Sequence, residues 1–187
     1  MRVSPYRLRV KRRYRTVERK VEDILARHPA PIIAIDPELV KRGWMARVVQ
    51  IVDGDTVVVH DGGVERTIRL AGVDSPELGD PSGKGQHAAW MAAMWMREFC
   101  MGEIVVVVPD PRQDLLDQYG REVAFLIRQP EGSIVNVELV RAGHARATPE
   151  HECTLALELH ELEVRARTTR RGMWAGALTA GEVGVSG

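Results

Sequence analysis

Three short segments of the sequence carry side chains that could act together in catalysis. The segments are IVDGDT, RTIRLAGVDSPE and DQYGRE. Their candidate residues, in chain order, are Asp53, Asp55, Arg69, Asp74, Ser75, Glu77, Asp117, Tyr119 and Arg121. An isolated Asp-Gly-Asp is most often a turn, because aspartate hydrogen-bonds its own backbone there. Turns alone do not account for this many carboxylates together with two arginines.

The chemistry that suits this set is phosphodiester hydrolysis. Carboxylate and carbonyl oxygens suit calcium or magnesium, whereas the sequence has no paired Cys or His pattern of the kind that binds zinc. A bound cation polarises a phosphoryl group, and two guanidiniums can hold its oxygens bidentately. A carboxylate that does not bind the metal can take a proton from the attacking water. The residues therefore predict a metal-dependent phosphodiesterase.

The three segments fall at the ends of predicted strands. Residues 45–70 contain three runs rich in β-branched residues, separated by the turn signals Asp53-Gly54 and Asp61-Gly62-Gly63. Two further apolar runs, Ile104–Val108 and Arg121–Ile127, predict the fourth and fifth strands. Candidate side chains are thus expected on neighbouring strand ends.

Helices are predicted between and after these strands. Gln86–Met101, Val135–Ala142 and a final amphipathic segment from Leu155 to Gly172 give three helices in the domain. A helix from Thr16 to His28 and a short one capped by Asp36 precede the strands. The predicted fold is α+β, a five-stranded OB-type β-barrel with three helices and a helical N-terminal extension.

Taken in order, IVDGDT, IRLAGVDSPE, DQYGRE and a final Gly-Met-Trp resemble the staphylococcal nuclease (thermonuclease) family over residues 45–176. The resemblance implies that Asp55 and Asp74 bind calcium through their side chains and Ser75 through its carbonyl, with Asp53 in support. Magnesium is a possible substitute that is less expected to support activity. The implied activity is hydrolysis of DNA or RNA to products with 3′-phosphate ends.

The same resemblance implies roles for the remaining candidates. Arg69 and Arg121 match the two arginines that clamp the phosphate. Glu77 matches a residue proposed either as the general base for water or as an organiser of the metal's waters. Tyr119 matches a tyrosine near a terminal phosphate, and Asp117 beside it is a supporting residue.

Three positions depart from the family pattern. Ser75 stands where the family often has threonine, a mild change if only the carbonyl binds metal. Gln118 stands where a lysine often contacts phosphate, which should weaken substrate binding rather than chemistry. After Arg146 the sequence reads Ala-Thr-Pro, so the family's base-stacking tyrosine has no counterpart there.

The chain divides by charge into a basic N-terminal part and an acidic remainder. Residues 1–45 hold 12 Lys or Arg and 5 Asp or Glu, whereas residues 46–187 hold 14 and 21. Residues 1–44 are predicted to form a basic, partly helical extension, residues 45–176 the domain, and residues 177–187 a flexible tail. The extension is either a solvated tail or an arm that adds phosphate contacts, and its helix could dock a protein partner.

Other features of the sequence bound the function without naming it. No stretch approaches the roughly 20 apolar residues of a membrane span, and the N-terminus lacks the apolar segment of a signal peptide. Cytoplasm is the expected location, although members of the resembled family are often secreted. Cys100 and Cys153 are too far apart in the chain to suggest a zinc pair. A non-catalytic module that binds nucleic acid or protein through the same fold is the alternative function.

Overall fold

The computed structural model describes residues 32–77, 85–148 and 152–175. The strands are β1 (Trp44–Ile51), β2 (Thr56–His60), β3 (Glu65–Leu70), β4 (Val73–Asp74), β5 (Ile104–Pro109), β6 (Glu122–Arg128) and β7 (Arg146–Ala147). The helices are α1 (Pro37–Val40), α2 (Gln86–Cys100), α3 (Val135–Arg141), α4 (Ala156–Thr168) and a 3₁₀ turn at Gly172–Trp174. The helix predicted at 16–28, the basic arm and the tail 177–187 lie outside the described residues.

Five strands close into a barrel in the order β1-β2-β3-β6-β5, with β5 paired to β1. All neighbours are antiparallel except β3 and β6, which run parallel with Arg69 opposite Val123. The barrel predicted from the sequence is confirmed, including its helices. Its closure could not be read from the strand pattern, because periodicity carries no information about which edge strands meet. The parallel pair brings the end of β3 beside the segment that enters β6.

The barrel core is formed by alternate side chains of the strands. Val57 and Val59 on β2 and Ile68 and Leu70 on β3 are at most 1% exposed. Burying one such side chain stabilises the fold by roughly 1.5–3 kcal/mol. This core holds the strand ends, from which the candidate site projects, in fixed positions.

A buried amide fixes α3 against the barrel. The side-chain oxygen of Asn136 accepts a hydrogen bond from the backbone N–H of Leu126 at 3.1 Å. Its nitrogen donates to the carbonyls of Ala71 at 3.0 Å and Ala124 at 3.3 Å. Because Ala71 directly follows β3, Asn136 also positions the segment that leads into β4.

The short helix α1 begins as the sequence predicts. Asp36 caps it by accepting a hydrogen bond from the backbone N–H of Glu38 at 2.9 Å, and Pro37 follows in the first turn. Ile35, just before the cap, is buried in the barrel core. The C-terminal end of the predicted extension therefore packs on the domain.

A two-stranded sheet beside the barrel was not predicted. Val73 pairs with Ala147 and Asp74 with Arg146, so β4 and β7 are each only two residues long. Strands this short show no alternation that a sequence pattern could reveal. The buried Glu163 of α4 accepts a hydrogen bond from the backbone N–H of Ala147 at 3.1 Å, which anchors the small sheet to the last helix.

Candidate active site

Asp55 lies at the turn between β1 and β2. Asp53 holds this turn, because its Oδ1 accepts a hydrogen bond from the backbone N–H of Asp55 at 3.0 Å. Gly54 is required at the centre, since an added Cβ would lie 2.7 Å from the Cβ atoms of both Ser75 and Ala92. The glycine of the motif thus lets the turn pack directly against α2 and the segment after β4.

The carboxylate of Asp55 is buried, with 5% of the residue exposed. Its Oδ2 accepts a hydrogen bond from the backbone N–H of Ser75 at 2.6 Å, and its Oδ1 accepts one from the Thr56 hydroxyl at 3.1 Å. Burial raises the pKa of Asp55 to about 6, although the charge of Arg69 opposes the rise. The nearby carboxylate of Asp53 raises the pKa of Asp55 further. Arg69 therefore does not fully compensate the negative charge of the buried carboxylate.

Arg69 connects Asp55 with Asp74. Its Nη1 lies 3.3 Å from Oδ1 of Asp55 and donates to the carbonyl oxygens of Val73 at 2.7 Å and Leu70 at 3.1 Å. Its Nη2 donates to Oδ1 of Asp74 at 3.1 Å. The side chain of Asp74 is 59% exposed, whereas that of Asp55 is nearly inaccessible. One guanidinium thus spans a buried and an exposed carboxylate.

This arrangement has the donor chemistry for a hard cation. Asp55 and Asp74 approach the same positive group, and the chain segment of Ser75 runs against Asp55. Within the described ranges, no three His, Cys, Asp or Glu side chains come together as a metal-binding group. Calcium accepts backbone carbonyl and water ligands beside carboxylates, so two aspartates fit it, whereas a closed zinc site needs more Cys or His ligands.

Arg121 is fixed beside this cluster by Asp117. The Nε of Arg121 donates to Oδ2 of Asp117 at 2.7 Å, and its backbone N–H donates to Oδ1 at 3.0 Å. Burial alone would raise the pKa of Asp117, but hydrogen bonds from Arg121 and from the N–H of Tyr119 outweigh it and lower the pKa. Asp117 is therefore ionised at neutral pH and holds the guanidinium in place.

Thr56 is a site residue that the sequence reasoning missed. It is 2% exposed, and its hydroxyl donates to Asp55 while accepting a hydrogen bond from Nη1 of Arg121 at 3.4 Å. The hydroxyl therefore links the aspartate cluster to the second arginine. Its place directly after Asp55 in IVDGDT was the available signal. However, threonine is common in strands, so a threonine at the start of a strand does not by itself indicate a functional role.

A cleft of about 850 Å³ opens over these residues. Six of the predicted residues line it: Arg69, Asp74, Asp117, Gln118, Tyr119 and Arg121. Tyr119 is 73% exposed, and the guanidinium carbon of Arg121 lies 5.2 Å from the centre of its ring. The structure thus brings residues from two of the three motifs to one open surface, and Thr56 joins the first motif to them.

The other four predicted residues do not line the cleft. Asp55 and Ser75 are buried, and Asp53 is half-buried in the turn. Glu77 is exposed, and its side chain has no hydrogen bond or ion pair with the residues that the structure describes. Asp55 and Ser75 are therefore linked directly by a hydrogen bond. The carboxylate of Glu77 makes no such contact with either of them.

Comparison with known proteins supports the motif resemblance. The sequence profile described as staphylococcal nuclease homologue matches residues 67–176. The chain belongs to this nuclease family. The match begins within β3, so Asp53 and Asp55 precede it.

In the described ranges, no helix is long and apolar enough to cross a membrane.

Several relatives match a longer or a similar part of the chain. An uncharacterized endonuclease of Escherichia coli is 34% identical over 131 residues, covering 70% of this chain and 77% of that protein. A thermonuclease of Staphylococcus hyicus is 26% identical over 132 residues, covering 69% and 75%. A thermonuclease of Staphylococcus intermedius is 31% identical over 106 residues, covering 57% and 61%. The family assignment made from the three motifs is confirmed.

Proposed function

We propose that this chain is a calcium-dependent nuclease that hydrolyses phosphodiester bonds of DNA, RNA or both and leaves 3′-phosphate ends. The supporting observation is that Arg69 and Arg121 face one cleft while Arg69 also contacts Asp55 and Asp74. Membership of the nuclease family, and relatives named endonuclease and thermonuclease, point in the same direction.

The aspartates form the proposed calcium site. Asp55, Asp74 and the backbone carbonyl of Ser75 would hold the ion, and Asp53 would support them by fixing the turn. Bound calcium would polarise the phosphoryl group and offset the negative charge that develops during attack. Magnesium suits the site less, because it demands near-octahedral geometry and gives up its waters reluctantly.

The two arginines would hold the phosphate. Guanidinium groups bind phosphate oxygens in pairs, and both side chains reach the cleft. Arg121 is already oriented by the ionised Asp117, so little ordering remains when substrate binds. Preorganised donors of this kind stabilise the charge of the transition state more than that of the ground state.

Glu77 would take the proton from the attacking water, because it is exposed and stands two residues after Ser75. Water attack on phosphorus with cleavage of the P–O5′ bond gives the proposed 3′-phosphate and a 5′-hydroxyl. Tyr119 would donate its hydroxyl to a terminal phosphate, and Gln118 would offer a neutral polar contact at the cleft wall.

A degradation assay tests this proposal against a non-catalytic binding module of the same fold. Single-stranded DNA, duplex DNA and RNA are incubated with calcium, magnesium or a chelator, and product ends are identified. The variants are Glu77→Gln and Arg121→Ala, with the exposed Arg97→Ala on α2 as the control. The proposal expects calcium-dependent cleavage by wild type and control and large losses in both site variants. Binding without cleavage in every metal would favour the binding module.

A further inference from the structure

The cleft extends past the two phosphate-clamping arginines along the loop between β5 and β6. Five residues line this extension: Pro111, Arg112, Gln113, Asp114 and Leu116. The cleft has a volume of about 850 Å³, towards the upper end of the roughly 300–1,000 Å³ that is usual for ligand pockets. The extension is part of the same opening that exposes Arg69 and Arg121.

The loop that carries the extension is fixed at both ends. At one end the buried Asp110 accepts hydrogen bonds from the backbone N–H of Arg112 at 3.1 Å and from the hydroxyl of Thr154 at 2.6 Å. At the other end the N–H of Val123 donates to the carbonyl of Leu115 at 3.0 Å. The side chains on the loop are therefore presented from an ordered backbone.

Two of these side chains, Arg112 and Leu116, are not among the residues proposed to hold the phosphate. The guanidinium of Arg112 is exposed and has no hydrogen bond or ion pair with any residue in the described ranges. Leu116 is 51% exposed and faces the cleft, although exposing an apolar side chain on an ordered loop gains nothing for folding. Proteins that bind single strands combine cationic groups along the backbone with side chains that pack on the base faces; these side chains are usually aromatic and in some sites apolar.

We propose that Arg112 and Leu116 form a second nucleotide position, in which Arg112 contacts a phosphate neighbouring the clamped one and Leu116 contacts the adjoining base. This inference rests on the proposed nuclease function and adds a determinant of substrate length to it. The base at Leu116 must expose a face, so the nucleotide there is unpaired or unstacked. Asp114 and Glu152 also line the cleft, so the electrostatic gain from Arg112 is partly offset.

The test measures binding of fluorescein-labelled single-stranded oligonucleotides by the Glu77→Gln protein with calcium, between 50 and 200 mM salt. The slope of log affinity against log salt is negative, and loss of one phosphate contact makes it less steep by about 0.7 for a single strand. In this background Arg112→Ala should make the slope less steep by about that amount. It should weaken binding of an octanucleotide by several-fold more than binding of a mononucleotide. Leu116→Ala should weaken binding of the octanucleotide by several-fold and leave the slope against log salt unchanged.

Matched controls separate these effects from general damage. Arg97→Ala removes an exposed arginine outside the cleft, and Leu115→Ala removes a 57% exposed leucine that does not line the cleft. Both controls should bind like the parent protein. An unchanged slope in Arg112→Ala, or equal losses in the Leu115 and Leu116 variants, would overturn the second position while cleavage by wild type still stood. Absence of both binding and cleavage in wild type would overturn the second position together with the proposed function.

Discussion

The Nη1 atom of Arg69 lies 3.3 Å from Oδ1 of Asp55, and the same guanidinium donates to Asp74. The arginine proposed to hold phosphate is therefore also the cation that accompanies the proposed calcium ligands. With calcium held by these carboxylates, Arg69 would be available to contact the substrate phosphate. This relationship makes the contacts of Arg69 and the ionisation of Asp55 the most informative points to perturb.

Replacing Arg69 by lysine should abolish most activity. Lysine cannot reproduce the planar fork that reaches the carbonyl of Val73, Asp55 and Asp74 together. We expect kcat for oligonucleotide cleavage to fall by roughly 10²–10³-fold, the usual effect of losing one preorganised donor to the transition state. Steady-state kinetics with saturating calcium measure this.

The matched control for that variant is Arg66→Lys. Arg66 lies on the same strand but pairs with Asp61 and Glu122 at the surface, where ion pairs contribute at most about 1 kcal/mol. Its kcat should stay near that of wild type. Equal losses in the two variants would show that the strand, rather than the contacts of Arg69, was disturbed.

The hydroxyl of Thr56 should matter more than its methyl group. Thr56→Val keeps the volume but removes the link between Asp55 and Arg121, whereas Thr56→Ser keeps the link. We expect kcat to fall about tenfold in the valine variant, equivalent to about 1.4 kcal/mol, and to change little in the serine variant. A valine variant as active as the serine variant would remove Thr56 from the site.

Gly54 should not tolerate a side chain. In Gly54→Ala the new Cβ would meet Ser75 and Ala92 at 2.7 Å, so the proposed calcium ligands must shift. Overpacking of this kind costs about 1–3 kcal/mol of unfolding free energy, and we expect weaker calcium binding as well. Gly63→Ala is the control, because its Cβ would meet only Asp61 at 3.7 Å. Urea denaturation and calcium titration of both variants check the difference, and two equally stable variants would contradict it.

The stability of the calcium-free protein should depend on the ionisation of Asp55. Its pKa in the folded protein is about 6, above the ordinary value near 4 of an unfolded chain. The protonated Asp55 therefore makes its full contribution to the free energy of unfolding below about pH 4, and this contribution is lost as pH rises through about 6. In chelator, Asp55→Asn should gain stability relative to wild type between pH 4.5 and pH 8, by on the order of 2–3 kcal/mol.

Calcium should reverse this dependence, because the ion binds only the ionised carboxylate. The rise in Tm that calcium gives to wild type should be large at pH 8 and decline below about pH 6. Asp55→Asn should show little rise at either pH. Scanning calorimetry with calcium and with chelator separates the two effects, and a calcium shift that is as large at pH 5 as at pH 8 would contradict the assignment of Asp55.

The sequence predicted the strands well because they leave local signals. Alternating β-branched runs marked the barrel strands, and the motifs singled out Arg69, Asp74 and Arg121, which line one cleft in the structure. Closure of the barrel and the pairing of β4 with β7 depend on contacts between distant segments, which no local pattern encodes.

The role of Thr56 was missed for the same reason. Its hydroxyl acquires meaning only when β2 and the segment before β6 meet, which places Arg121 within 3.4 Å. Arg112 and Leu116 likewise look like ordinary loop residues in the sequence. They become candidates only because the loop lines the same cleft as the two motif arginines.

We propose above that calcium bound through Asp55 and Asp74 enables phosphodiester cleavage in the cleft of Arg69 and Arg121. The most direct test is one calcium titration in which ion binding is followed by calorimetry and cleavage of a labelled oligonucleotide is followed in parallel. In wild type at pH 8, both signals should rise over the same calcium concentrations, and in Asp55→Asn both should be lost. Full cleavage by wild type in chelator, or by Asp55→Asn at the same calcium concentrations, would contradict the claim.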